Sequence, residues 1–299
     1  MAAEIISGTE MARTIRAEVG EEVARMKEGG ARVPGLATVL VGEDPASRAY
    51  VSMKNRAAEE VGILSRQIDL PASISHEELL GWVEGLNADP EVDGILVQLP
   101  LPEQVMEAQI LESIHPYKDV DGFHPVNVGR LLSGTPDVLI PCTPQGIIEL
   151  LVRSGHDPSG RHVVMVGRSN IVGKPMISLL LGRGRGGDAT VTVAHSRTRD
   201  LAEVTRMGEI LIVAVGRPGF VTAEMVRPGA VVIDVGVNRV DDPSSEKGYR
   251  LVGDVDFEGV SRVASAMTPV PGGVGPMTIA MLLSNTVSAA KTGAGGFGG

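Results

Sequence analysis

An α/β fold with parallel sheet is predicted by the regular alternation of helix and strand patterns along these 299 residues. Two further observations point the same way. The stretch Gly94-Ile-Leu-Val-Gln-Leu-Pro is apolar almost throughout, as a parallel strand covered on both faces must be. From His162 onward the strand candidates each end in Gly or a polar turn, which is a nucleotide-binding rhythm. The length favours two domains over one.

Taken in order, Ser7 and Glu10 form a capping-box pattern for a helix whose apolar face runs Met11, Ile15, Val19 and Met26, ending at Gly29-Gly30. A strand over Leu36 to Val41 follows. Asp44-Pro45 then reads as N-cap and first helical residue of a helix that stops at Gly62. After a strand near Ile68, Ser75 and Glu78 repeat the capping box ahead of a helix carrying Leu79, Trp82, Val83 and Leu86. Leu101 to Pro141 is irregular, with a helix pattern around Pro102 to Ile114. Thr143-Pro144 opens another helix, which ends at Gly155. Strands are then expected at His162 to Val166, Ala189 to Ala194, Ile210 to Val215 and Val231 to Val235, and a last helix from Pro276 to about Lys291. The tail Gly293 to Gly299, five of seven Gly, is expected to be disordered.

Composition excludes several classes. A net charge of -10 argues against a nucleic-acid or anionic-membrane binder, either of which needs a basic face. Cys142 is the only cysteine, so neither an intramolecular disulfide nor a thiolate metal cluster can form. The N-terminus lacks the pattern of a secretory signal, and the longest apolar runs are too short for a bilayer. A soluble cytoplasmic protein is expected.

Six segments could carry chemistry. Gly167-Arg-Ser-Asn-Ile-Val-Gly173-Lys-Pro175 follows a strand directly: Gly167 permits a tight turn, backbone N–H groups and the Ser169 hydroxyl can meet a phosphate, and Gly173 lets the next helix approach. The bland alternative is an ordinary strand–loop–helix connection. The next strand ends in His195-Ser-Arg-Thr-Arg199, with no carboxylate before Asp200, which suits a 2′-phosphate better than a bare ribose. Tyr50 and Lys54, four apart, share a helix face, as chance surface neighbours also do. Short-chain dehydrogenases use that spacing too, but their glycine loop comes first and here it comes later, which rules that family out.

Gln98 is a lone amide at the carboxyl end of an apolar strand, the position where open α/β sheets place ligands. Lys118-Asp-Val-Asp121-Gly-Phe offers two carboxylates without a third ligand at sensible spacing, so a solvated loop or substrate anchor is preferred to a metal site. Thr268-Pro-Val-Pro-Gly-Gly-Val-Gly-Pro-Met-Thr278, with three Pro and three Gly, is too rigid and side-chain-poor for helix or strand interior. It either brings backbone close to something or serves as a hinge.

Together, Tyr50 to Lys54, VQLPLP, KDVDGF, GRSNIVGKP, HSRT and PVPGGVGPMT closely resemble, in order, the bifunctional methylenetetrahydrofolate dehydrogenase / methenyltetrahydrofolate cyclohydrolase family, from roughly Ile5 to Lys291. The resemblance implies two α/β domains around a cleft: a folate domain over residues 1–144 completed by a C-terminal helix at 276–292, and a Rossmann-type NADP domain over 145–275. It implies a homodimer and a folate substrate. It also implies a catalytic set of Tyr50, Lys54, Gln98 and Asp121. In that set Tyr50 stacks on the folate, Gln98 orients the lysine and Asp121 anchors the pterin; Pro271, Gly272 and Gly273 line the folate slot. Gly167, Arg168, Ser169, Ser196 and Val237 correspond to cofactor-binding positions. One departure is Gly182-Arg-Gly-Arg-Gly-Gly-Asp188, longer and richer in Gly and Arg than the family's usual link. A dehydrogenase without cyclohydrolase activity and a non-catalytic NADP sensor are the rival readings.

Overall fold

The structure, a computed structural model, describes residues 2–245 and 248–293. In chain order its elements are β1 (Glu4–Ile5), α1 (Gly8–Glu28), β2 (Gly35–Val41), α2 (Pro45–Glu60), β3 (Leu64–Leu70), α3 (His76–Ala88), β4 (Gly94–Val97), α4 (Glu107–Ser113), α5 (Pro125–Leu132) and α6 (Cys142–Arg153). There follow β5 (His162–Val166), α7 (Gly173–Leu181), β6 (Thr190–Ala194), α8 (Leu201–Thr205), β7 (Ile210–Val213), β8 (Val231–Asp234), β9 (Asn238–Asp241), β10 (Tyr249–Val252), α9 (Phe257–Val260), β11 (Ala266–Met267) and α10 (Val274–Gly293). They fall into two compact units. Among the described residues, one comprises 13–142 with 279–293, the other 2–12 with 143–245 and 248–278.

The first unit holds a parallel sheet in the order β3-β2-β4. The strands β2 and β4 are buried along their whole length, which is why they read as unbroken apolar runs. Ala37, Val39, Ile95 and Val97 pack with Leu79, Val83 and Leu86 of α3 and Ile110 of α4. Local chemistry sets the helix starts. Asp44 accepts a 2.7 Å bond from the Ser47 N–H with Pro45 in the first turn, and Ser75 with Glu78 completes a reciprocal capping box. Lys118 closes the other end of α3: its Nζ donates to the carbonyls of Leu86, Asn87 and Asp89 at 2.8–3.1 Å.

The second unit holds a six-stranded parallel sheet in the order β1-β11-β8-β7-β5-β6, with an antiparallel pair β9–β10. The sequence patterns do not reveal β1, β11 or that pair. Strands of two residues have no period to read, and β9 and β10 are half exposed and charged. Glu4 and Ile5 pair with Ala266 and Met267, and residues 2–12 cluster with the six-stranded sheet. The Gly182–Asp188 link is tightly tied. Arg185 forks onto Glu149 at 2.5 and 3.0 Å, and Asp188 accepts from the Gly184 N–H.

Gly293, expected in a disordered tail, is the last residue of α10; Ala294 to Gly299 lie outside the described residues. No described helix is long and apolar enough to cross a membrane.

Candidate functional site

Lys54 projects from α2 and is buried, only 7% exposed. A buried ammonium needs a partner, and it donates to Gln98 Oε1 at 3.1 Å. Gln98 sits one residue past β4, its own N–H continuing the sheet ladder to the Val39 carbonyl. Its amide nitrogen is committed to the Leu99 carbonyl at 2.7 Å, which turns the amide oxygen to the lysine. Tyr50, one turn before Lys54 on α2, keeps its ring exposed, with the centroid 6.0 Å from Lys54 Nζ. The rotation of α2 is fixed beneath by a polar chain that sequence reading did not find. Thr38 of β2 donates to Asn55, whose amide donates to Gln67 of β3.

Lys118 to Asp121 runs beside β4, where Ile95 N–H bonds the Lys118 carbonyl and Ile95 bridges Asp119. Gly94 makes this possible, since a Cβ there would come within 2.6 Å of Val120. The two carboxylates then part. Asp119 is buried and accepts from the His124 N–H and the Asn127 amide, a structural role. Asp121 receives no hydrogen bond from the described residues. Burial pushes its carboxyl up to about 6, the Lys54 charge pulls it back and Asp119 pushes it further up. An acceptor of this kind, half-buried beside a cation, is unfinished without a donor from outside the chain. Among the described residues no cluster of His, Cys, Asp or Glu is placed to hold a metal ion.

In the other unit, Gly167 takes φ +131 at the end of β5, and a Cβ there would run into the Ala214 carbonyl. A Cβ on Gly173 would sit 2.6 Å from the Gly167 carbonyl oxygen, so the loop folds tightly onto the start of α7. Ser169 Oγ accepts from the N–H groups of Val172 and Gly173, leaving its proton free to donate, while Arg168 and Ser169 face solvent. At the end of β6, Thr198 Oγ1 accepts from the His195 N–H and His195 Nδ1 from the Arg197 N–H, which folds the turn and leaves Ser196 exposed. Val237, after β8, is 50% exposed. This loop, with no carboxylate at the end of β6, fits a dinucleotide that carries a 2′-phosphate.

Pro271, Gly272 and Gly273 cluster with this second unit, not with Lys54. Gly272 adopts φ +100 and its carbonyl accepts from the Thr9 N–H at 3.0 Å; a Cβ on Gly273 would overlap the Pro269 carbonyl.

Residues 6–121 match the catalytic domain of the tetrahydrofolate dehydrogenase/cyclohydrolase family and residues 141–294 match its NAD(P)-binding domain. The chain belongs to that family. It is 55% identical to the bifunctional protein FolD 1 of Myxococcus xanthus over 97% of this chain and 98% of that one. Among solved structures it resembles the bifunctional FolD dehydrogenase/cyclohydrolase of Campylobacter jejuni at TM-score 0.91 and 47% identity, covering 97% and 99% of the two chains. A similar likeness, at TM-score 0.91 and 42% identity over 99% of both chains, links it to the Trypanosoma brucei FolD complexed with NADP cofactor and inhibitor.

For a member of this family, the sequence reading passes over two buried aspartates of the second unit, Asp234 and Asp254, and over Asn285 of α10 in the first. The signal was present for the aspartates: each is a charge inside an apolar run, and glycines stand beside them at Gly236 and Gly253.

Proposed function

We propose that this chain is a bifunctional enzyme of one-carbon folate chemistry. It oxidises 5,10-methylenetetrahydrofolate to the 5,10-methenyl form with NADP and hydrolyses that product to 10-formyltetrahydrofolate. The observation that carries the reading is the buried Lys54 held 3.1 Å from Gln98 in a dehydrogenase/cyclohydrolase chain.

The Tyr50 ring stacks on the folate, and the unpaired Asp121 carboxylate accepts from the pterin amino and ring N–H groups. Pro271, Gly272 and Gly273 line the folate slot. Gly167, Arg168, Ser169, Ser196 and Val237 hold the cofactor, with Ser196 toward the 2′-phosphate. Held by those residues, NADP would supply the acceptor for the hydride leaving the methylene carbon. For that step the chain supplies alignment rather than acid or base.

Hydrolysis asks more of the side chains. Water adds to the amidinium carbon of the methenyl cation, and the bond from that carbon to N5 breaks. One proton of the added water leaves to solvent, Lys54 gives its ammonium proton to N5 as that bond breaks, and the amine so formed takes the second proton from the former water oxygen. Gln98 is the positioning residue that aims Lys54. Family resemblance further supports a homodimer in the cytoplasm.

The test is purified protein with methylenetetrahydrofolate and NADP, followed at the absorbances of NADPH and of the methenyl product. NADPH should form without a matching stoichiometric build-up of methenyl product, and NADP should be preferred to NAD. Ser196→Asp should weaken NADP roughly ten-fold or more, the worth of a lost charge-assisted contact. No NADPH formation would end the reading, and equal specificity constants for NADP and NAD would end its 2′-phosphate part.

A further inference from the structure

Beside the cofactor loop lies a pair of buried carboxylates with no role in the mechanism above. Asp254 is wholly buried and Asp234 nearly so. Asp254 Oδ2 accepts from the N–H groups of Val215 at 2.7 Å and Gly216 at 2.9 Å; Oδ1 accepts from the Arg217 N–H at 2.9 Å and the Asn238 amide at 2.8 Å. Three successive backbone N–H groups after β7 thus converge on one carboxylate, an anion nest filled from within the chain. Asp234 Oδ1 accepts from the N–H groups of Gly236 and Asp254, and Oδ2 from that of Val255, at 2.9–3.0 Å. The packing admits no side chain between the carboxylates and the turns. A Cβ on Gly236 would overlap the Asp254 carboxyl, and one on Gly253 the Asp234 carboxyl.

The exposed Val237 is therefore bracketed. Gly236 before it is tied to Asp234, and Asn238 after it to Asp254. In a sheet ordered β8-β7-β5-β6, with the glycine loop after β5, the adenosine half of a dinucleotide lies toward β6. The other half must cross the ends of β7 and β8, the two turns that Asp254 joins.

We propose that Asp254, backed by Asp234, is a positioning residue for the nicotinamide half of the cofactor, fixing the turns after β7 and β8 against which that half binds. This rests on the NADP reading above. Neutralising Asp254 leaves four donors facing an amide that can accept at only one atom, so the turns loosen while the glycine loop and the end of β6 keep their own bonds.

The experiment is calorimetric binding of NADP and of 2′,5′-ADP, which carries only the adenine half, to the full-length wild type, Asp254→Asn and Asn238→Ala. Asp254→Asn should bind NADP about ten-fold or more weakly, the scale of a charged hydrogen bond, with 2′,5′-ADP unchanged. Asn238→Ala, which keeps the nest, should shift NADP in the same direction by less and decides the matter if Asp254→Asn does not fold. Equal weakening of both ligands would reduce the pair to general scaffolding, and unchanged NADP affinity in Asn238→Ala would overturn the proposal. Wild type that binds neither ligand would instead remove the cofactor reading itself.

Discussion

Two aspartates two residues apart, Asp119 and Asp121, look alike in the sequence and differ completely in the fold. Asp119 spends its acceptors on the His124 N–H and the Asn127 amide, whereas Asp121 has none of its acceptors filled by the described residues. The spacing within KDVDGF does not say which carboxylate is free, and only family resemblance points to Asp121, because the difference depends on α5 and its Asn127 folding back on the segment. The consequence is a pH dependence. Asp121 has its folded value raised to about 6, above the ordinary 3.8. Its charged form therefore costs the fold stability at neutral pH, and that cost is relieved as pH falls through about 6. On the proposed role of Asp121, the same fall removes the acceptor for the pterin. Folate-analogue affinity, titrated from about pH 8 down to about pH 5, should hold steady and then drop near 6. Asp121→Asn should bind weakly at every pH yet melt higher than wild type at neutral pH. An affinity that stays flat through this range would detach Asp121 from the substrate.

Among the elements, those with local start signals were the legible ones. The caps at Asp44 and Ser75 and the apolar runs of β2, β4, β5 and β7 carry their structure in a few adjacent residues. What stayed hidden depends on distant partners: β1 exists only because β11 lies beside it, and the purpose of α10 is not in its own pattern. That helix is apolar on most faces, yet Asn285 stands in it, buried. Its amide donates to the carbonyls of Val120 at 2.9 Å and Ile140 at 2.8 Å. It thus ties the segment carrying Asp121, through Val120, and the residues before α6, through Ile140, to α10. Replacing it with Ala strands the half-buried Ile140 carbonyl and leaves the Val120 carbonyl only the Cys142 thiol at 3.3 Å, and a stranded buried acceptor costs about 1–3 kcal/mol. Asn285→Ala should lower the melting midpoint by several degrees and weaken folate binding. An unchanged midpoint would show that these two bonds hold nothing.

At the scale of the whole molecule, the proposed function gives one chain two chemically unlike jobs. Hydride transfer asks for alignment, and ring opening asks for a group that moves protons. In the proposed function the glycine loop after β5 and the turns after β6 and β8 are assigned only the first job. The second is assigned to Lys54, which is buried and donates to Gln98. The Tyr50–Lys54 spacing is readable from helix geometry and the pairing of Gln98 with Lys54 only from family resemblance; its physical reason is the register of β4 against β2, which sets the height of the amide opposite α2. Lys54→Met keeps the length and apolar stem of the side chain and removes only the amine. The decisive measurement is both half-reactions on one preparation of Lys54→Met: NADP reduction with the methylene substrate, and hydrolysis of the methenyl substrate. Hydrolysis should fall by the ~10²–10⁴-fold typical of a general acid–base group, while NADP reduction stays measurable and methenyl product accumulates. Equal loss of both activities would make Lys54 a binding residue, and undiminished hydrolysis would contradict the account outright.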